Sequence, residues 1–373
     1  MVKDLNKKPY DEATLTKLEI FEQYLKAWLP VFIQTPHTNK AMICDFCAGS
    51  GYDSIGTHGS PIRIVKQIDD YRDQIFQNDI HIDILLNDVK SKKYRELENT
   101  VAESFQEESW QGKITLSCRN EDFQQLFRQQ YKCLKQQPNL IFIDQSGVRQ
   151  VTNDIFQMLI DLNKTDFLFF ISSSAIKRFA GTAEFRSLFP DIDSDEISGA
   201  KHEDIHRIIL DYYTQKIPKD NPTRLYPFSL KKGPNIYGLI FGSKHPLGVE
   251  KFLDLAWDQN AINGEANFDI DDDVEKRQPT LFDSQPGFER RKTKRELFED
   301  CLKNFIHKRG QVTNRDVYYF TLNHGHPKSH AGECIRRLKK EGKVEYSGRI
   351  GFSYNSCGKK NSVLKTIKWI TNG

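Results

Sequence analysis

Short apolar segments alternate with amphipathic ones along most of the first 258 residues, and this alternation limits the fold more than any other feature. The strand candidates are residues 41–46, 80–87, 113–119, 139–144, 167–171 and 237–242. Strands of a parallel sheet are buried on both faces and read as continuous apolar runs, while the connecting helices show helical spacing. The pattern predicts an α/β fold with a doubly wound, mostly parallel sheet.

Charge and composition divide the chain into three parts. Residues 1–258 carry the alternation, residues 259–290 are acidic with no helical or strand period, and residues 291–373 form a small basic domain. From residue 290 onward, 20 Lys and Arg stand against 7 Asp and Glu, a balance of +13, whereas the preceding residues balance at −10. A basic domain on an acidic body is typical of nucleic-acid binding, and a solvated lysine-rich surface is the alternative.

Neither a membrane segment nor a disulfide framework is indicated. No run approaches 18 consecutive apolar residues, and the first eight residues lack the apolar region of a secretory signal. The seven cysteines are odd in number and scattered, which favours free thiols in a reducing cytosol. Cys44 and Cys47 have the spacing of a metal or redox pair, but no second pair at zinc spacing follows. We expect a cytoplasmic protein with no metal site.

The most informative stretch is Ile43-Cys-Asp-Phe-Cys-Ala-Gly-Ser-Gly51, where an apolar strand ends in Asp45 and a glycine turn precedes a helix. Glycines let the backbone approach a ligand, and the helix that follows presents N–H groups to it. Ser54 breaks the dinucleotide fingerprint, and the Gly-Lys-Ser/Thr of a P-loop is missing. Asp45 with Gly49 and Gly51 resembles motif I of class I S-adenosylmethionine-dependent methyltransferases, and a turn with no ligand is the alternative.

Acidic residues follow the later strand candidates. Asp88 closes the second strand, where a carboxylate can accept hydrogen bonds from ribose hydroxyls, and Asn87 is a competing candidate. Asp122 follows the third strand; it either accepts from an adenine amino group or caps the next helix. Asp144 ends the fourth strand, where methyl transfer would occur. These strand ends meet at one edge of a parallel sheet and predict a ligand site there.

Several motifs, by their order and spacing, resemble the three-Cys-motif partner protein (TcmP) family. They are Lys17–Trp28, Asp45–Gly51, Gly59–Ile62, Phe142–Gly147, Tyr237–His245, Phe252–Trp257 and Pro279–Phe282. The resemblance covers roughly residues 10–290. It implies a Rossmann-like class I methyltransferase fold with S-adenosylmethionine as cofactor. It also implies a partner, a three-Cys-motif protein that resembles radical S-adenosylmethionine enzymes.

The resemblance implies roles for single residues as well. Those implied to bind the cofactor are Asp45, Ala48, Gly49, Gly51, Asp88 and Asp122. Asp144 and Gln145 begin a motif that matches the family's Asp-Pro-Phe-Gly pattern, a relative of the Asp-Pro-Pro-Tyr of amino-methylating nucleic-acid enzymes, and they would be catalytic. Val148 occupies the position where an aromatic ring would stack on the target base. Tyr52 or Phe179 is therefore the candidate for that stacking ring.

The C-terminal domain resembles a winged helix. Helices are predicted over 294–309, after residue 313 and over 327–341, and residues 342–346 with 351–354 are predicted to form a hairpin wing. The third helix carries basic side chains suited to phosphates or base edges, namely Arg336, Arg337, Lys339 and Lys340, with Lys359 and Lys360 beyond it. Nucleic-acid binding is the leading interpretation, and protein contact is the alternative.

Two functions follow from these observations. The first is S-adenosylmethionine-dependent methylation of a base amine of nucleic acid, carried out with the three-Cys-motif partner. The second is a non-catalytic adaptor that binds a partner enzyme while its winged helix holds nucleic acid. The glycine turn favours the first function, and the altered motif after Asp144 favours the second.

Overall fold

The computed structural model describes residues 8–36, 38–144, 151–276 and 291–370. The chain forms two compact units, Met1–His245 and Pro246–Gly373. Within the described ranges, no helix combines the length and the apolarity needed to cross a membrane.

A seven-stranded sheet forms the centre of the first unit. Its strands are β1 Lys40–Asp45, β2 His81–Asn87, β3 Ile114–Arg119, β4 Asn139–Ile143, β5 Thr165–Ile171, β6 Arg224–Lys232 and β7 Asn235–Ser243. They lie in the order β3-β2-β1-β4-β5-β7-β6. β1 to β5 are parallel, and β7 runs antiparallel to both β5 and β6. The predicted fold class, a doubly wound and mostly parallel sheet, is confirmed.

Helices flank this sheet and connect its strands. They are α1 Glu12–Ile33, α2 Ser60–Asp70, α3 Arg72–Gln77, α4 Ser91–Ser104, α5 Phe123–Leu134, α6 Asn153–Asp161, α7 Ser173–Phe179, α8 Ala183–Leu188, α9 Ser194–Gly199 and α10 His202–Gln215, with a 3₁₀ turn at Glu107–Trp110. The order of the strands reverses between β2 and β4, on either side of β1, so the carboxyl end of β1 lies at a switch point where ligands of such sheets bind.

α1 packs on the middle of the sheet through one face. Phe21 stacks on Phe142 of β4, with ring centroids 4.4 Å apart. Tyr24 donates a 2.7 Å hydrogen bond to Asp166 of β5. Residues three and four apart share a helix face, so these two contacts fix which side chains of α1 point at β4 and β5.

The second unit is a helical domain with a small antiparallel sheet. Its elements are α11 Pro246–Gln259, α12 Asp273–Lys276, α13 Lys294–Arg309, β8 Gln311–Thr313, α14 Asn314–Asn323, α15 Lys328–Lys340, β9 Val344–Glu345, a π-helical turn Tyr354–Gly358 and β10 Thr366–Trp369. The sheet order is β8-β10-β9. The predicted hairpin is wrong in its second strand, because β9 pairs with β10 and not with residues 351–354.

α11 belongs to this second unit. Trp257 contacts the rings of His326 and His330 at centroid distances of 4.9 and 4.5 Å, and its Nε1 donates to the Gly325 carbonyl at 2.9 Å. Asp273, within the predicted acidic linker, is fully buried. The two units thus divide at residue 245, whereas the sequence indicated divisions at 258 and 291, because α11 carries its apolar face to α14 and α15.

Candidate functional site

Three of the predicted acidic residues meet at the carboxyl edge of the sheet. Asp45 ends β1, Asp88 directly follows β2 and Asp144 directly follows β4. β1 pairs with both β2 and β4, which brings the three strand ends side by side. Besides burial, the negative charges of Asp144 and Asp88 both raise the pKa of Asp45, as carboxylates sharing one site do.

Asp45 is the most deeply buried of the three. Its Oδ1 accepts a 3.1 Å hydrogen bond from the Cys47 N–H, and its Oδ2 has no hydrogen-bond partner among the described residues. Burial is the main cause that raises the pKa of Asp45 to about 7, although the nearby Ser60 hydroxyl lowers it. A buried carboxyl with a free oxygen can receive a cationic or hydrogen-bond-donating group of a ligand.

The glycine turn closes over Asp88. Gly49 has a φ of +70°, which suits glycine, and its N–H donates to Asp88 Oδ2 at 3.2 Å. The N–H of Ala48 donates to the Asn87 carbonyl at 2.8 Å. Gly51 has a φ of +94°, and a Cβ there would lie 2.6 Å from Thr100 Cγ2 on α4. Packing against α4 therefore explains Gly51 without any ligand.

Asp88 and Asn87 have different surroundings. The Asn87 amide is engaged at both ends, since Nδ2 donates to the Phe46 and Glu121 carbonyls and Oδ1 accepts from the Glu121 N–H. Asp88 lies just outside that network, where Oδ1 accepts from the Lys90 N–H at 2.8 Å. Each oxygen of Asp88 accepts one backbone N–H and can accept another hydrogen bond, whereas the Asn87 amide is fully engaged, so Asp88 is favoured over Asn87 as a ligand residue.

Asp122 caps the N-terminus of α5. Its Oδ1 accepts from the backbone N–H groups of Gln124 at 3.0 Å and Gln125 at 3.2 Å. Its side chain is exposed and is not among the groups that shift the pKa of Asp45. The N-cap interpretation is what the structure shows, and a role in adenine binding stays a prediction.

The sequence prediction missed Lys17, whose ammonium lies at the end of β4. Lys17 Nζ donates to Asp144 Oδ2 at 2.5 Å, and it lies 4.6 Å from the centroid of the Phe170 ring. The exposed fraction is 9% for the Lys17 side chain and 24% for Asp144. A lysine within the apolar stripe of α1 was the signal available in the sequence. Gln145 lies outside the described residues.

Tyr10, which precedes α1, contacts the loop that follows the glycine turn. Its N–H donates to Asp53 Oδ2 at 2.8 Å, and a Cβ on Gly59 would lie 3.0 Å from its hydroxyl. Burial, followed by the charges of Asp53 and Asp144, raises the pKa of Tyr10 to about 12. Of the two suggested stacking platforms, Tyr52 packs against His58, and Phe179 ends α7 with 36% of its surface exposed.

The four basic residues predicted in the second half of α15 fall into two classes. Arg337 donates to Glu299 of α13 at 2.5 Å, and Lys339 donates to the Tyr346 carbonyl at 2.9 Å while lying over the Tyr346 ring. Arg336 and Lys340 are exposed and form no hydrogen bond or ion pair with the residues that the structure describes. Only the second class is available to phosphates without breaking a contact.

A cleft of about 490 Å³ lies between α13 and α15. Four acidic and four basic side chains line it with two others: Lys292, Glu296, Glu299, Asp300, Lys303, Cys334, Arg337, Leu338, Glu341 and Lys343. This mixture of charge does not suit a polyanion. Across the described ranges, no group of three or more His, Cys, Asp or Glu side chains is arranged to hold a metal ion.

Residues 269–351 match the family model of the GMT-like wHTH domain, a winged helix-turn-helix. The match begins inside the predicted acidic linker. It covers the helices α12 to α15 and the strands β8 and β9. The second unit thus contains the winged-helix domain that the sequence pattern predicted.

Solved structures similar to this chain include methyltransferases. They are the methyltransferase domain of bacterial CtHen1 (9% identity, 59% of this chain, 97% of that chain, TM-score 0.28), a human methyltransferase 10 domain-containing protein (9%, 64%, 85%, 0.28) and the DszA carbon methyltransferase (13%, 59%, 50%, 0.32). At such identities and TM-scores, these likenesses carry no argument about activity. No curated protein matches the chain.

Proposed function

We propose that the chain is an S-adenosylmethionine-dependent methyltransferase that acts on a base amine of nucleic acid. The observation that carries this proposal is the meeting of Asp45, Asp88 and Asp144 beside a glycine turn at the switch point of the sheet. Carboxylates suit both the ammonium and the ribose hydroxyls of such a cofactor.

The donors and acceptors of the site fit the cofactor. The free Oδ2 of Asp45 suits the ammonium of a methionine group, with Ala48, Gly49 and Gly51 forming the turn beside it. Asp88 would hold the ribose, and Asp122 would meet the adenine amino group. When bound, the cofactor supplies a methyl group carried on a sulfonium.

Asp144 would orient the target amine. Its Oδ2 is occupied by Lys17, and no described residue donates to its Oδ1, so Oδ1 is left to accept one amine N–H. The same oxygen would take up the proton that the nitrogen releases once methylated. Gln145, the next residue, is proposed to assist through its amide.

The second unit would bind the nucleic acid. The match to a winged-helix domain and the exposed Arg336 and Lys340 support this proposal. The resemblance to TcmP proteins supports a three-Cys-motif protein, similar to radical S-adenosylmethionine enzymes, as a partner of the complex.

Calorimetry and isotope transfer test the proposal. Full-length protein should bind S-adenosylmethionine, Asp88→Ala should weaken binding at least tenfold, and Asp79→Ala, on an exposed turn, should leave it unchanged. Tritium from labelled cofactor should then appear in total RNA or DNA. Wild-type protein that binds no cofactor would refute the proposal.

One observation favours the adaptor as a second candidate. Tyr10 and Lys17 place their own polar groups beside the glycine turn and Asp144, where substrate groups would otherwise lie. An adaptor would bind nucleic acid without methyl transfer. Binding with no tritium transfer, even after addition of the three-Cys-motif protein, would support it.

A further inference from the structure

The position of Lys17 is set by the docking of α1. Lys17, Phe21 and Tyr24 are spaced four and three residues apart and therefore share one face of the helix. Phe21 is held by Phe142 and Tyr24 by Asp166. Because both neighbours are fixed on β4 and β5, the Lys17 ammonium is fixed one turn further along, at the carboxyl end of β4.

The bonding capacity of the pair is only partly used. An ammonium group has three N–H donors. One of those of Lys17 points to Asp144 Oδ2, and the group also lies over the Phe170 ring. On Asp144, Oδ1 receives no hydrogen bond from the described residues. The pair thus offers a donor and an acceptor side by side in a nearly buried site.

A donor beside an acceptor is complementary to one class of base edge. Adenine and cytosine each carry an exocyclic amine, a donor, next to a ring nitrogen that accepts. In hypoxanthine and uracil the polarity is reversed, because a carbonyl stands beside a ring N–H. Bidentate contacts to such edges are how side chains distinguish bases.

We propose that Lys17 is a specificity-determining residue which, with Asp144, selects the amine-bearing edge of adenine or cytosine. Asp144 Oδ1 accepts from the amine, and Lys17 Nζ donates to the neighbouring ring nitrogen. The proposal rests on the proposed function, since it names the substrate edge that the carboxyl-edge site would recognise. In hypoxanthine or uracil, the ring N–H would face the Lys17 ammonium, donor against donor, and the carbonyl would face Asp144 Oδ1, acceptor against acceptor.

Matched nucleotides test the pairing directly. Binding to the full-length protein is measured by equilibrium dialysis for adenosine and inosine 5′-monophosphates and for cytidine and uridine 5′-monophosphates, with S-adenosylhomocysteine present and absent. At least one amine-bearing nucleotide should bind about tenfold or more tightly than its deaminated counterpart. Equal affinity within both pairs would overturn the proposal.

Variants of Lys17 assign the discrimination to this residue. Lys17→Met keeps most of the apolar stem but removes the ammonium, so it should reduce the preference to less than about twofold, and Lys17→Arg should restore part of it. Lys26→Met, at an exposed position of the same helix, is the matched control. Unchanged melting temperatures show that each variant is folded. A preference that survives Lys17→Met would overturn the assignment.

The proposed function is tested separately on the same samples. Cofactor binding and methyl transfer by the wild type, without nucleotide discrimination, would leave the proposed function standing and refute the role of Lys17. Discrimination lost in Lys17→Met, with no cofactor binding by the wild type, would support the role of Lys17 and refute methyl transfer.

Discussion

The hydroxyl of Tyr24 donates a 2.7 Å hydrogen bond to Oδ2 of Asp166, and both residues are buried between α1 and the sheet. Burial raises the pKa of Asp166 to about 6, while the Ser243 and Tyr24 hydroxyls oppose that rise. The bond therefore satisfies a carboxyl that water cannot reach. It also fixes the position of α1 along the strands, and this position brings Lys17 to Asp144.

Tyr24→Phe should lower the free energy of unfolding by about 1–3 kcal/mol, because it leaves a buried acceptor without its donor. Tyr71→Phe is the matched control, since the Tyr71 hydroxyl donates to the Lys26 carbonyl at an exposed position. Urea unfolding of both variants measures the difference. Equal losses in the two variants would show that the buried bond is not special.

Asp45→Asn should stabilise the protein at pH 8 but not at pH 4. Burial raises the pKa of Asp45 from 3.8 to about 7, so the ionised form is disfavoured in the folded state. The stability that this group contributes is fully present below pH 3.8 and is lost as the pH rises through about 7. The two pKa values differ by about three, so the loss approaches about 4 kcal/mol.

The amide of Asp45→Asn does not ionise. The free energy of unfolding of this variant should therefore increase relative to that of the wild type as the pH rises across this range. Guanidinium unfolding at pH 4 and pH 8 measures it. Asp53→Asn should instead differ from the wild type by a nearly constant amount, because three backbone N–H groups outweigh burial and lower the pKa of Asp53 below 3.8, so this carboxyl stays ionised in both states over the range. A constant difference between Asp45→Asn and wild type would contradict the prediction.

The buried pair His326 and His330 should make the second unit sensitive to acid. Their Nδ1 atoms lie 3.0 Å apart. Burial, and then the positive charge of Lys294 or Arg295, lowers the pKa of His326 to about 2 and that of His330 to about 4. Both histidines are neutral in the fold, so the stability present above pH 6.5 is lost as the pH falls toward 4.

Between pH 7 and pH 5, the free energy of unfolding of His326→Phe should fall by about 2 kcal/mol less than that of the wild type. The reason is that the variant lacks one of the two buried imidazoles that the fold keeps neutral. His307→Gln, at an exposed position, should follow the wild type. Unfolding by urea at the two pH values, followed by tryptophan fluorescence, compares them. The prediction fails if the free energy of unfolding falls by the same amount in all three proteins.

Arg336→Ala and Arg337→Ala should affect the second unit in different ways. Arg336 is exposed, so its removal should weaken binding to a 20-base-pair duplex and reduce the salt slope by about 1. Arg337 is held by Glu299, so its removal should mainly reduce stability. Fluorescence anisotropy between about 50 and 200 mM salt measures the slopes. Equal slopes for the two variants would contradict this division of the helix.

The sequence predicted the sheet better than it predicted the site. Buried strands such as Asn139–Ile143 appear as runs of apolar residues, so their positions could be predicted from the hydrophobic pattern of the sequence. Strand β6 was missed because Pro227 interrupts its pattern, which an edge strand tolerates. Lys17 was missed because its role depends on the register of α1 against the sheet, and that register is set by Phe21 and Tyr24 in three dimensions.

The basic helix shows the same limit. Charge predicted that Arg336, Arg337, Lys339 and Lys340 would act together, but charge does not reveal which partners lie across from each side chain. Arg337 is engaged by Glu299 of α13, and Lys339 is engaged by the carbonyl of Tyr346, which follows β9. Separating the two classes requires knowing which side of α15 faces Glu299, and this depends on the packing of α15 against α13.

Gly51→Ala should destabilise the first unit by about 2 kcal/mol or more, for two reasons that can be separated. A left-handed conformation costs an alanine about 1–2 kcal/mol, and the added Cβ would overlap Thr100 Cγ2. Thr100→Ser removes that methyl group but keeps the hydroxyl that donates to the Ser50 carbonyl. In the Gly51→Ala background it should restore about half of the loss, whereas alone it should change little. Thermal unfolding of the four proteins measures the coupling, and additive effects would show that contact with α4 is not what requires a glycine at position 51.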